Sequence, residues 1–356
     1  MEGFIYFCNI MYKYRIICLM FCILLWLSAC KLPASISKQN DSSTWKKIQY
    51  KTNGEILLSD TAFLMVSNRH FFENDTVFAN EETDTSQRHL LYVSKVNEAW
   101  QVREIQSLEE GIGLFPKKNW VLYTEGMGKT FTGNIERAYL MATTYDVNVI
   151  LFDYASINRS LSVIKNFDFS LKNSNKSYRQ YARFLHEIET LQSTTDLFKQ
   201  TDISIFSHSM GNLMFRKMML ENAFEPKSKK VFIKNIIFNA PCVNRKNHHR
   251  WMTKIHFAKN IYVNFNKSDY KLNGAMLLSG NRKLGSKPKY PFAINVHYMD
   301  FHAAVGKTHN YFLNIPARTF VMSKSIQNYF FQILNGMKFE EDVLQKSDIV
   351  GYEMKL

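Results

Sequence analysis

The chain has 356 residues, 46% hydrophobic and 14% aromatic, enough apolar content for one large domain or one domain with an extension. Its 45 Lys and Arg outweigh 31 Asp and Glu to give a formal net charge of +14. The basic clusters Lys227-Ser228-Lys229-Lys230, Arg245 to Arg250 and Arg282-Lys283 read first as solvated loops and second as attraction for an anionic membrane surface or acidic substrates. No RNP box, zinc finger or basic recognition helix is present, which argues against nucleic acid as a partner.

The N-terminus sets the expected compartment. Lys13 and Arg15 precede the apolar run Ile16 to Leu25, which continues to Ser28-Ala29-Cys30. A charged start, a short apolar stretch and small residues before a cut site describe an export signal over residues 1–29. Leu27-Ser28-Ala29-Cys30 also resembles a bacterial lipobox, which implies lipidation of Cys30 and a membrane-anchored lipoprotein of the bacterial cell envelope. Of the five cysteines, Cys8, Cys18, Cys22, Cys30 and Cys242, only Cys30 and Cys242 then remain, so no disulfide framework is expected.

Residues 30–58, polar and poor in apolar periodicity, read as a tether. The expected folded domain spans 59–336. Residues 62–66 and 90–93 are early strands, and Trp120 to Tyr123 is a third, ending at Glu125-Gly126-Met127-Gly128. Ile135, Ala138, Tyr139 and Ala142 fall at helical spacing over 132–144. A buried strand over 147–152 precedes a helix with Tyr178, Tyr181, Phe184, Leu185, Ile188 and Leu191 on one face. Further strands are expected at 204–206, 231–238, 261–265 and 293–296, with helices at 213–220 and 319–335. Alternating strands and helices predict an α/β fold with a mostly parallel sheet covered on both faces. Residues 337–356 read as a charged tail.

The pattern with most chemical content is Ser207-His208-Ser209-Met210-Gly211-Asn212 between a β-type run and a helix-like segment. It is a nucleophile elbow, a sharp turn that exposes one serine hydroxyl, here Ser209. Such a serine needs a base and a group to orient that base, in the chain order Ser, acid, His. Asp269 follows the strand 261–265 and is the preferred acid, with Asp300 the alternative. His309 is the preferred base, ahead of His302 and His297. The oxyanion of the reaction needs two backbone N–H donors, expected from Met210 and Met127. His248 and His249 lack metal-ligand spacing, so neither a metal nor a cofactor is expected.

Five segments, in order, resemble a bacterial α/β-hydrolase family of unknown function within the esterase and lipase superfamily. Ala62 to Arg69 resembles its opening strand and Asn-Arg turn, and Phe152-Asp153-Tyr154-Ala155-Ser156 its Asp-Trp-Pro-Ser segment. Glu125-Gly126-Met127 stands where that family carries His-Gly-Phe. The elbow differs only at its first residue, Ser207, and His309-Asn310-Tyr311-Phe312 resembles the terminal His-Ser-Tyr motif. The resemblance implies an α/β-hydrolase fold and a serine hydrolase acting on an acyl-containing small molecule or lipid. The departure at Glu125 motivates a second reading, an inactive hydrolase fold serving as an envelope binding or assembly module. Oligomeric state stays open.

Overall fold

The computed structural model describes residues 48–354 apart from 52–55, 57, 73–76, 229, 317, 340–344 and 347–349. The expected export signal, the lipidation residue Cys30 and the tether as far as residue 47 lie outside the described residues.

The chain opens with β1 (Ile48–Lys51), β2 (Phe63–Ser67), the ribbon β3 (Arg69–Phe72) and β4 (Val77–Thr83), and the hairpin β5 (His89–Val96) and β6 (Ala99–Glu104). Then come α1 (Leu108–Gly113), β7 (Trp120–Thr124), α2 (Phe131–Tyr145), β8 (Asn148–Asp153), α3 (Val163–Lys176) and α4 (Tyr178–Thr194). After β9 (Ile203–His208) follow α5 (Asn212–Leu220), β10 (Ile233–Asn239), α6 (His249–Met252), β11 (Ala258–Phe265) and α7 (Tyr270–Ser279). The last elements are β12 (His297–Asp300), α8 (His302–Val305), α9 (Lys324–Leu334), β13 (Gln345–Lys346) and β14 (Tyr352–Glu353).

One twelve-stranded sheet has the order β1-β6-β5-β2-β8-β7-β9-β10-β11-β12-β14-β13. From β2 to β14 in that order every neighbouring pair is parallel. The expected parallel α/β architecture is therefore present, with antiparallel β5 and β6 at one side. β7 and β8 are buried at every position because helices cover both faces of the sheet there. On one face Phe152, Tyr181, Phe215, Phe238 and Trp251 form a continuous ring layer. On the other, Tyr123, Phe206, Phe312 and Phe330 do the same beneath α9.

Strand order reverses at β7, which lies between β8 and β9. In an open parallel sheet such a reversal leaves a crevice outside the carboxyl ends of the strands, because the connections on its two sides run to opposite faces. The loops after β7 and β9 meet in that crevice.

Four expectations change. Within the expected tether 30–58, Ile48–Lys51 is instead a strand parallel to β6, with Ile48 and Tyr50 turned toward the core. The tail beyond 337 is not wholly free, since Tyr352–Glu353 extends the sheet beside β12 and Met354 is buried. The strand expected at 293–296 lies at 297–300, set by its register with Tyr262 to Phe265. Helix α3 was not legible, because its buried face is Asn166, Ser170, Asn173 and Ser174 rather than an apolar stripe. Those side chains satisfy loop backbone instead: Asn173 donates to Ala155 O at 3.0 Å and Asn166 to Asn158 O at 2.8 Å.

Candidate active site

Strand β9 ends at His208, and the chain reverses through Ser209–Gly211 into α5. Ser209 has φ +51°, a left-handed backbone that a side chain adopts at a cost of about 1–3 kcal/mol unless its surroundings hold it there. They do: Asn212 Nδ2 donates to Ser207 O at 3.0 Å and Ser209 O at 2.9 Å, and Cys242 N donates to Ser209 O at 3.0 Å. Gly211 is required by crowding, since a Cβ there would lie 2.8 Å from Glu125 O and 2.9 Å from Thr124 O. Burial pushes the neighbouring Cys242 thiol up to about 11, which keeps it protonated and inert at neutral pH.

The loop after β7 presses directly on this turn. A Cβ on Gly126 would stand 2.6 Å from Ser209 Cβ and 3.2 Å from Met210 N. The two segments from which oxyanion donors are expected, 125–127 and 209–210, are therefore in contact.

Asp269 follows β11 and caps α7, its Oδ1 accepting from Lys271 N and Leu272 N at 3.0 Å each. Its other oxygen, Oδ2, lies 2.6 Å from His309 Nδ1. The carboxylate is fully buried and the imidazole nearly so. The alternatives are engaged elsewhere. Asp300 Oδ1 accepts from His302 N at 3.0 Å, and His302 Nδ1 lies 2.9 Å from Ser268 Oγ. His297 stacks on Tyr262 within the sheet.

Residues 101–290, more than half of the chain, match a family described as alpha/beta hydrolase of unknown function (DUF900). The chain belongs to that family. The matched span holds Ser209 and Asp269 and ends before His309. No curated protein matches the chain.

In this alpha/beta hydrolase, Glu125 is housed without facing the elbow as a bare carboxylate. Tyr123 Oη donates to its Oε1 at 2.8 Å, Gly126 N donates to its Oε2 at 2.7 Å, and Lys129 Nζ lies 3.7 Å away. Burial on its own would raise Glu125, but Lys129, Arg137 and the Gly126 N–H outweigh it and hold the carboxyl well below the usual range. Because Gly126 N–H is committed to Glu125, Met127 N–H is the donor this loop has left to offer.

Some contributors were not assigned from sequence. His208, inside the elbow motif, accepts from Asn239 Nδ2 at Nδ1 (3.3 Å) and donates from Nε2 to Asn310 Oδ1 (2.6 Å). Asn239 Oδ1 accepts in turn from Asn264 Nδ2 at 3.1 Å, and Asn264 Oδ1 from Tyr329 Oη at 2.6 Å. Burial drives His208 well below its ordinary value, so it is a neutral link that anchors the residue beside His309. A histidine within the motif was a signal; asparagines from three separate elements were not.

The Arg69 and Asp153 pair was visible only as motif resemblance. Arg69 Nε meets Asp153 Oδ2 at 2.7 Å and Nη2 meets Oδ1 at 2.9 Å, with both side chains fully buried. Arg69 Nη2 also donates to Lys129 O at 3.1 Å and Tyr154 O at 2.7 Å. Ser67 and Asn134 complete the carboxylate's partners. This hub ties the ends of β2 and β8 to the loop that touches Ser209.

Proposed function

We propose that the protein is a serine hydrolase that cleaves an ester, thioester or amide through an acyl-enzyme intermediate. The observation that carries this reading is the buried Asp269–His309 pair at 2.6 Å, at the same sheet edge as a serine in left-handed backbone geometry. His309 Nδ1–H donates to Asp269, which leaves Nε2 as the basic nitrogen. That nitrogen takes the Ser209 proton as Oγ attacks the acyl carbon. The negative charge that develops on the carbonyl oxygen is met by the N–H groups of Met210 and Met127. Collapse of the intermediate expels the alcohol, thiol or amine, protonated by His309. Water, activated by the same imidazole, then releases the acid and frees Ser209.

Asp269 suits its role because its two oxygens are divided: one is held by the α7 backbone, the other faces the imidazole. A carboxylate fixed this way orients the ring and stabilises the imidazolium that forms. Glu125, which motivated the inactive alternative, has partners for both oxygens and gives that alternative no support.

The test is labelling by a fluorophosphonate probe. Wild-type protein is expected to label at one site, and Ser209→Ala to lose it while keeping its melting temperature within a few degrees. Labelling that persists in folded Ser209→Ala would sink the assignment. In Asp269→Asn, which favours the wrong imidazole tautomer, the turnover rate is expected to fall by about 10⁴.

A further inference from the structure

Helix α5 leads away from the elbow and packs against α3, α4 and α6. Two cavities open along it, of about 290 Å³ and about 490 Å³, and Arg216 and Leu220 line both. Ser209, Asp269 and His309 line neither.

The smaller cavity carries charge of one sign. Its charged lining residues are Arg216 of α5, Lys246 of the loop after β10 and Arg250 of α6, beside Asn244, Asn247 and Trp251. Lys246 and Arg250 belong to the basic cluster whose first reading was a solvated loop. A defined turn holds that cluster against α5 instead. Lys246 N donates to Asn244 Oδ1 at 2.9 Å, Arg250 N donates to Asn247 O at 3.2 Å, and Asn247 takes φ +60° between them.

The surrounding protein does not answer this charge. Arg216 is partly buried, yet its guanidinium has neither an acceptor nor an ion pair among the described residues, and the Lys246 and Arg250 side chains have none either. Burial pulls Arg216 below its ordinary value. Trp251, 2% exposed and edge-on to Phe238, supplies another wall, and its indole N–H has no hydrogen-bond partner among the described residues. In the larger cavity Lys176 and Lys217 join Arg216, Lys172 is paired with Asp168 at 2.7 Å, and Glu221 is the one carboxylate among the lining residues.

A solvated basic face accounts for lysines that point apart into water. It does not account for three cations from three elements that line one concavity, where low-dielectric walls focus their field. The guanidinium fork matches the oxygens of a phosphate, and two further cations suit a dianion better than a single carboxylate. Leu220, 42% exposed, gives both cavities an apolar wall for the organic group that carries the anion.

We propose that the cavity lined by Arg216, Lys246 and Arg250 is a second ligand site, which binds the phosphate group of a soluble organic phosphate or of a lipid headgroup. It stands apart from the catalytic reading and does not depend on Ser209 being a nucleophile.

The experiment keeps the full chain in neutral maltoside micelles and has two arms. In the first, inorganic phosphate is titrated by calorimetry against chloride at equal ionic strength. In the second, melting temperature is measured in micelles that carry phosphatidic acid, with diacylglycerol as the phosphate-free control. Saturable phosphate binding, a rise in melting temperature with phosphatidic acid only, or both are expected. Phosphate affinity is expected to fall about ten-fold or more, and the lipid-induced rise to disappear, in Arg216→Gln and in the double variant Lys246→Gln, Arg250→Gln. Lys246 and Arg250 are exposed, so the double variant is expected to fold, and circular dichroism checks both proteins.

Phosphate binding without the lipid effect supports the site and assigns it a soluble ligand. The lipid effect without phosphate binding supports it and assigns a headgroup; both together show that the phosphate group suffices. Neither response, or a response that either folded variant leaves at wild-type strength, overturns the site.

Discussion

At the scale of single residues, the site is built on close approach. Gly126 and Gly211 are needed because backbone or Ser209 Cβ occupies the space a side chain would fill. Gly126→Ala is expected to displace the elbow and lower fluorophosphonate labelling by about 10² or more, since a shift near 1 Å costs that much in an aligned reaction. Labelling at the wild-type rate would show that the two loops give way without consequence. Titration adds a second expectation. Burial lowers Lys271 to about 8 from an ordinary 10.5, so between those values the unfolded chain holds more protons than the folded one. This group's contribution to stability therefore rises with pH across that window. The melting temperature is expected to climb between pH 8 and 9.5, less steeply in Lys271→Met; an unchanged slope in the variant would count against the burial of that ammonium.

At the scale of elements, the loops are set by the strands that feed them. β7 was legible as a short continuous apolar run, the signature of a strand covered on both faces, and β9 as Ile203, Ile205 and Phe206 leading into the small-residue turn. Their adjacency follows from pairing, Thr124 with Ser207 at the carboxyl ends, and this puts the Gly126 loop against Ser209. The buried Arg69–Asp153 hub then holds Lys129 O and the chain leading into α2. Asp153→Asn removes the charge opposite a fully buried guanidinium and is expected to cost about 3–5 kcal/mol in urea unfolding. A cost below about 1 kcal/mol would mean that the backbone carbonyls around Arg69 suffice. Helix α3 marks the limit of reading by periodicity. Its inward side chains are polar and meet loop carbonyls, so no hydrophobic stripe announces it.

At the scale of the whole molecule, we propose that the segment preceding the domain directs export and lipidation at Cys30. Expressed in a bacterial host with labelled palmitate, the protein is expected to incorporate lipid, and Cys30→Ser to abolish incorporation while preserving fluorophosphonate labelling. Incorporation by Cys30→Ser would overturn the lipobox reading. Much of the candidate site was legible because each residue follows a strand end in the order Ser209, Asp269, His309. Chain order and context already favoured Asp269 over Asp300 and His309 over His302; the contact between the two was not legible. Order along the chain gives no distance; the cap of α7 and the placement of the 306–309 loop bring this pair to 2.6 Å.

The sequence by itself determined the sheet class, because that depends on local apolar runs, and it offered the elbow and the compartment as expectations from a small-residue turn and an N-terminal charge and hydropathy pattern. Only the tertiary structure decided which acid meets which base and how Glu125 is satisfied. Asp269 and His309 come from separated stretches of chain. Electrostatic energy depends on distance and burial, and neither is set until the sheet has brought those stretches together.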